Sequence, residues 1–159
     1  MSREPDTHPT LGIIVPDDGP FDYEWYRLDP WLAAHGLGDV TVYIEGSPAD
    51  GYMNPQSLAQ TGSHESLRAP AMRLRERGAG AIVWACTSGS FIGGHAFARD
   101  QVEWLQHETG LPATSTSLAL VAAAHHLETG VVDILCTYTA AVGAVFVALM
   151  EQSGLEVRH

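Results

Sequence analysis

The chain has 159 residues, enough for one domain of ordinary size, and 45% of them are hydrophobic, as in a protein with a buried core. Its formal net charge is −11 and it has no lysine, which argues against binding to nucleic acids or anionic membranes and excludes chemistry that needs a lysine. Two cysteines are too few for a disulfide framework, and the start of the chain lacks a signal-peptide pattern, so we expect a cytoplasmic protein.

The first part of the chain alternates apolar and polar segments. Residues 1–10 are polar and are expected to form a flexible tail. The continuous apolar run over 11–15 is typical of a buried parallel strand, and we expect Pro16 to stop it. A helix is predicted over 22–35, and the β-branched alternation over 40–44 predicts a second strand.

A long polar segment over 45–63 separates the second strand from the next helix. Segments of this length are often lids or binding loops, and a short helix over 55–59 within it would be capped by Asn54. A helix over 64–77 follows, and the apolar run over 79–85 predicts a third strand.

The rest of the chain continues the alternation of strands and helices. Helices are predicted over 93–109, 118–129 and 142–153, and strands over 111–116, over 131–136 and from residue 155. This order predicts an α/β fold, a doubly wound, flavodoxin-like parallel sheet flanked by helices. Such folds bind ligands at the carboxyl ends of their strands.

Cys86 stands at the end of the third predicted strand and is the main candidate for chemistry. Thr87, Ser88 and Gly89 follow it and supply hydroxyl and backbone N–H groups, which lower the pKa of a thiol and hold an anion. The alternative is that Cys86 is a small buried core residue, and its position alone leaves both interpretations open.

The fifth predicted strand ends in a second cysteine, Cys136, which is more simply explained as structural. Tyr138, two residues on, is either a hydroxyl donor to a carboxylate or an ordinary loop aromatic residue. The adjacent pair His125 and His126 lacks the spacing of metal ligands on a helix, and we predict no metal site.

Three segments together resemble a known group of enzymes. They are Gly12-Ile13-Ile14-Val15-Pro16, Ala85-Cys86-Thr87-Ser88-Gly89-Ser90 and Thr137-Tyr138-Thr139. The pattern is similar to the aspartate/glutamate racemase superfamily, and most similar to its maleate cis-trans isomerase and arylmalonate decarboxylase branch.

The resemblance implies two similar α/β lobes with the active site between them, and chemistry without a metal or an organic cofactor. It implies that Cys86 is the thiol of the first lobe, which adds to an activated double bond or moves a proton at a carbon next to a carboxylate.

The resemblance also assigns the groups that hold the substrate. Thr87, Ser88 and Tyr138, with backbone N–H groups, would bind the carboxylate and the enediolate formed from it. Val15 and Pro16 would line the pocket.

The chain departs from the family pattern in three places. Cys136 stands where the family's Thr-Pro-Tyr motif has its threonine, so we do not equate it with the second catalytic cysteine. Family members commonly have an asparagine shortly after the tyrosine of this motif. In this chain the corresponding position falls near Gly143. The second lobe of family members supplies another catalytic cysteine, which would lie beyond His159.

We therefore expect a first lobe over 11–117 and the start of a second over 118–159, in a fragment or shortened homologue. The function expected is a cofactor-independent isomerase, racemase or decarboxylase of a small dicarboxylate or 2-substituted carboxylic acid. The alternatives are a non-catalytic module that binds small carboxylates, an inactive truncated homologue, and another enzyme class with Cys86 in the core. An exposed sheet face would favour a homodimer.

Overall fold

A computed structural model describes residues 9–17, 28–38 and 40–158. The tail expected at the start of the chain falls almost wholly outside these ranges, and so does the predicted first helix as far as residue 27. Within the described part the chain alternates strands with helices, as expected from the sequence.

The strands are β1 (Thr10–Asp17), β2 (Thr41–Pro48), β3 (Ala81–Trp84), β4 (Ala113–Ser115), β5 (Val131–Asp133) and β6 (Glu156–Arg158). The helices are α1 (Leu28–Ala34), α2 (Pro55–Thr61), α3 (His64–Glu76), α4 (Thr87–Phe91), α5 (Gly94–Thr109), α6 (Thr116–His126) and α7 (Ala140–Gln152).

Four strands form the main sheet in the order β2-β1-β3-β4, and all of its pairs are parallel. The expected α/β fold, a parallel sheet flanked by helices, is confirmed, and the strand order is that of flavodoxin-like folds. One face of the sheet is covered by α3 and α5. The apolar residues that meet there include Ile14, Ile82, Trp84, Leu67, Leu74 and Leu105.

A second, smaller sheet lies after the main one. β5 and β6 pair in parallel, and α7 connects them. The fifth strand was predicted to reach Cys136, but β5 ends at Asp133 because its partner β6 is only three residues long. The inner side of α7 packs against the helices of the first part of the chain, in a cluster that includes Leu58, Phe91, Ala98, Val142, Phe146 and Leu149.

The prediction that Pro16 stops the first strand is wrong, because β1 continues to Asp17. Successive residues of a strand turn their backbone groups to opposite neighbours. The carbonyl of Ile14 accepts a hydrogen bond from Ala85 N at 2.8 Å, so Pro16 faces the same side, where β3 has already ended at Trp84. The N–H that proline lacks is therefore not needed for pairing.

The start of α2 shows how local sequence defines structure. The Asn54 side chain accepts a hydrogen bond from Ser57 N at 3.0 Å, which confirms the predicted cap of α2.

The helix α6 is rich in apolar residues, yet Ser117 is its only buried residue. No helix in the described ranges is both long and apolar enough to cross a membrane.

Candidate active site

Cys86 reaches its position through a sharp change of backbone direction after β3. It has extended backbone angles, φ −132° and ψ 111°, and is the N-cap residue of α4. The predicted strand continued to residue 85 and the next helix began at 93, so α4 itself was not predicted. A helix of five residues carries too little hydrophobic periodicity to be detected in a sequence.

The Cys86 sulfur lies against the first turn of α4. Gly89 N donates a hydrogen bond to Sγ at 3.2 Å, and Ser88 Oγ lies 3.9 Å from Sγ. A hydrogen bond donated to sulfur favours the thiolate over the neutral thiol. A Cβ at Gly89 would lie 2.9 Å from Sγ, so glycine at this position leaves room for the thiol.

Tyr138 approaches the same turn from the loop before α7. Its ring packs edge-on against Phe91, with the ring centroids 5.5 Å apart. Partial burial raises the pKa of Tyr138 above 10.0, and so do the charges of Cys86 and Cys136, while hydrogen bonds with the side chains of Ser88 and Thr87 oppose the rise. The structure thus brings Tyr138 together with Cys86, Thr87 and Ser88.

Further hydrogen bonds hold α4 against α6. Ser90 Oγ donates to Thr87 O at 2.9 Å and lies 2.7 Å from Ser117 Oγ, and both serines are fully buried. Thr116 Oγ1 donates to Trp84 O at 3.3 Å, which joins α6 to the end of β3. The turn that carries Cys86 is therefore fixed by side chains from a later helix.

An open cavity of about 580 Å³ lies beside this turn. Thr87 and Tyr138 are the predicted site residues that line it, and the other lining residues are Leu120, Leu135, Cys136, Thr137 and Phe146. One part of the cavity wall is therefore polar and carries hydroxyl groups, and the other part is apolar.

The other residues singled out in the sequence lie outside the turn that carries Cys86. Val15 and Pro16 lie in β1 just after Ile14, the last residue of this strand that pairs with β3, and Val15 is buried. Cys136 is exposed, in the loop after β5. A Cβ at Gly143 would lie 3.5 Å from Cys136 Sγ, so the position where relatives were expected to carry asparagine faces this thiol.

Gln101 is a buried polar residue of this region that was not predicted. Its Nε2 donates hydrogen bonds to Gly62 O at 2.7 Å and to Gly89 O at 2.8 Å. The sequence contains a signal for it, because Gln101 is four residues from both Phe97 and Leu105 on the apolar stripe of α5. Among the described residues, no group of three or more His, Cys, Asp or Glu side chains could hold a metal ion.

Solved structures of two kinds of enzyme share this fold. Arylmalonate decarboxylase matches with a TM-score of 0.72 and 27% identity, over 94% of this chain and 60% of that chain. The maleate isomerase of Pseudomonas putida S16 matches with a TM-score of 0.83 and 18% identity, over 96% of this chain and 62% of that chain.

A third structure is a mutant of the maleate cis-trans isomerase of Nocardia farcinica with a covalently bound succinylcysteine intermediate. It matches with a TM-score of 0.80 and 16% identity, over 94% of this chain and 62% of that chain. The likeness to the two isomerases shows a shared fold. The chain thus spans about 60% of the length of the solved structure of arylmalonate decarboxylase. No curated protein sequence matches it.

A comparison of the sequence with family models identifies the family. The family model named arylmalonate decarboxylase matches residues 33–159, which include Cys86, the hydroxyl groups beside it and Tyr138. The resemblance expected from the sequence motifs is confirmed, and the chain belongs to the arylmalonate decarboxylase family.

Proposed function

We propose that this chain carries the Cys86 side of a cofactor-independent isomerase, racemase or decarboxylase for small carboxylic acids, either dicarboxylates or 2-substituted acids. One observation carries the proposal: the thiol of Cys86 and the phenol of Tyr138 meet at the side chains of Thr87 and Ser88, beside an open cavity. A reactive sulfur and several hydroxyl donors therefore share one small region.

Each group has a role in such a reaction. Thr87, Ser88 and Tyr138 donate hydrogen bonds to the substrate carboxylate, and these bonds strengthen as the carboxylate becomes an enediolate. In racemisation the Cys86 thiolate takes the proton from the neighbouring carbon, and in isomerisation it adds its electron pair to an activated double bond. In decarboxylation the Cys86 thiol gives its proton to the α-carbon of the enediolate that remains when carbon dioxide leaves. We propose that Val15 and Pro16, near the end of β1, line the substrate pocket on the side of the main sheet.

The relatives support both forms of this chemistry. The Nocardia farcinica isomerase holds a succinylcysteine, in which a cysteine sulfur is bound covalently to a four-carbon diacid. The family model is that of a decarboxylase, which breaks a bond at a carbon next to a carboxylate. We propose that Cys86 takes part in one of these two kinds of step.

We also propose that the chain divides at residue 117, with a first lobe over 11–117 and the start of a similar second lobe over 118–159. The separate pairing of β5 with β6 supports this division. Cys86 would then face the active site from the first lobe, and Tyr138 from the beginning of the second.

The direct test is Cys86→Ala, assayed with a panel of maleate, arylmalonates and 2-arylpropionates in deuterium oxide. We expect the variant to lose nearly all isomerisation, decarboxylation or exchange of the α-hydrogen that the parent shows. Cys136→Ala is the matched comparison and is expected to lose less. Unchanged turnover of every accepted acid in Cys86→Ala would rule out the proposed role of the thiol.

Titration of the thiol separates an enzyme from a module that only binds carboxylates. A catalytic Cys86 is expected to be alkylated rapidly and with a midpoint below that of an ordinary thiol, about 8.5. A slow reaction with an ordinary midpoint, combined with binding of the same acids, would favour the binding module.

A further inference from the structure

The turn that carries Cys86 depends on contacts from outside it. α4 has only five residues, and a helix of this length is not stable without tertiary contacts. Gly89, in the middle of α4, supplies the N–H that meets Cys86 Sγ at 3.2 Å. Any group that fixes Gly89 therefore also fixes the hydrogen bond to the sulfur.

Gln101 is such a group. It lies on α5 with 0% of its surface exposed, and its Nε2 donates to Gly89 O at 2.8 Å and to Gly62 O at 2.7 Å. A primary amide has two N–H hydrogens, and the two carbonyls take both. Because a carbonyl oxygen cannot donate a hydrogen bond, this arrangement also determines which way the amide points.

The packing leaves little room for Gly89 to move. A Cβ at Gly62 would lie 2.2 Å from Gly89 O and 2.4 Å from Gln101 Nε2. The turn between α2 and α3 thus touches α4 at this point. The amide of Gln101 joins three parts of the molecule at the carbonyl of Gly89.

We propose that Gln101 is a positioning residue for the Cys86 thiol, which it holds through Gly89. The inference rests on the proposed function, since it gives Gln101 a part in keeping Cys86 reactive. Without the amide, Gly89 O loses the hydrogen bond from Gln101, the turn shifts, and the N–H of Gly89 no longer stays aligned with the sulfur. The thiolate is then less favoured.

The test measures how fast iodoacetamide alkylates Cys86 across a range of pH. The parent is Cys136→Ser, so that Cys86 is the thiol observed. Gln101→Met keeps the approximate length of the side chain and removes both donors. We expect it to raise the midpoint of alkylation and to slow the reaction about fivefold near pH 7, the effect of losing one hydrogen bond to sulfur.

Thr109→Val is the matched control. It removes a buried hydroxyl from the helix that carries Gln101, but at the last residue of α5, where Thr109 Oγ1 donates to Leu105 O at 2.6 Å. We expect its midpoint to equal that of the parent. Far-ultraviolet circular dichroism and thermal unfolding show whether each variant is folded.

Two different results would overturn the two proposals. A folded Gln101→Met protein with the parent's midpoint refutes the role of Gln101 and leaves the proposed function standing. If Cys86 in the parent is itself slow and has an ordinary midpoint, the proposed function fails. Should Gln101→Met not fold, Gln101→Asn, whose amide is one methylene further from the carbonyls, takes its place, and an unchanged midpoint again refutes the inference.

Discussion

Gly62 lets the turn between α2 and α3 approach the carbonyl of Gly89 closely, and Gly89 leaves room for the Cys86 sulfur. The backbone of Gly62, with φ −90° and ψ 9°, is open to any residue, so only space requires glycine there. A Cβ would lie 2.2 Å from the carbonyl oxygen of Gly89. This is backbone, and it has no flexible end that could move aside.

We therefore expect Gly62→Ala to lower the free energy of unfolding by about 2 kcal/mol, as overpacking does in a closely packed core. It should also slow alkylation of Cys86, because the clash displaces Gly89. Gly130→Ala is the control, since nothing lies within 4 Å of a Cβ at that position. Urea unfolding measures both variants, and equal stability of the two would contradict the packing argument.

The pKa of Tyr138 depends on the charges around its phenol group. Burial raises its pKa above 10.0, and negative charge on Cys86 adds to the rise. In Cys86→Ser the pKa of Tyr138 should fall toward 10.0, because the serine is neutral at every pH used. The phenolate absorbance of each protein, minus that of its Tyr138→Phe counterpart, isolates this residue. An unchanged titration would show that the sulfur and the phenol do not interact.

At the level of elements, β2 is tied to α3 by one acidic residue. Glu45 accepts hydrogen bonds from Arg73 Nε at 2.6 Å and from a guanidinium N–H of Arg77 at 3.0 Å. Partial burial disfavours its charge, but the two arginines outweigh this effect and hold the pKa of Glu45 below 4.5. Arg77 also stacks on Tyr43, with its guanidinium carbon 4.3 Å from the ring centroid.

Because the pKa of Glu45 is lowered in the folded state, its stabilising effect is present above the pKa of the unfolded chain and is lost as the pH falls through the folded pKa. Glu45→Gln should therefore cost about 1 kcal/mol near pH 7 and progressively less toward pH 3. Chemical denaturation at several pH values measures the difference. Glu151→Gln, at an exposed position on α7, is the control, and a cost for Glu45→Gln that does not change with pH would contradict the assignment.

At the scale of the whole molecule, the main feature is a group of exposed apolar side chains in or next to α6 and β5. The large ones are Leu120, Leu127, Val131 and Leu135, and Leu135 is fully exposed. Leu120 and Leu135 also line both the cavity beside Tyr138 and a neighbouring cavity of about 250 Å³. Contiguous apolar surface of this kind promotes association.

We expect this protein to form homodimers through that surface. Leu135→Asp should weaken the dimer about tenfold or more, because it places a charge on the apolar contact. Leu37→Asp, at an exposed leucine after α1, should leave association unchanged. Sedimentation equilibrium over a range of concentrations decides the matter, and a monomer throughout would refute the expectation.

Local sequence patterns were sufficient to predict the alternation of strands and helices and the parallel α/β class. They also predicted the helix that forms α3, the cap of α2 and the position of Cys86 beyond a strand. These features depend on residues close together in the chain, such as Asn54 and Ser57, or Leu67 and Leu74. Hydrophobic period and capping chemistry act over a few residues, so a sequence displays them directly.

The contacts between distant residues, by contrast, are seen only in the folded chain. The tertiary structure paired β5 with β6 outside the main sheet, placed Tyr138 against Ser88, and brought Gln101 to the carbonyls of Gly62 and Gly89. These contacts join segments that are far apart in the chain. They depend on strand register and helix packing together, and no local pattern contains that information. Cys86 and Tyr138 were thus visible in the sequence through the family motifs, but the contacts of Tyr138 with Ser88 and the part played by Gln101 were not.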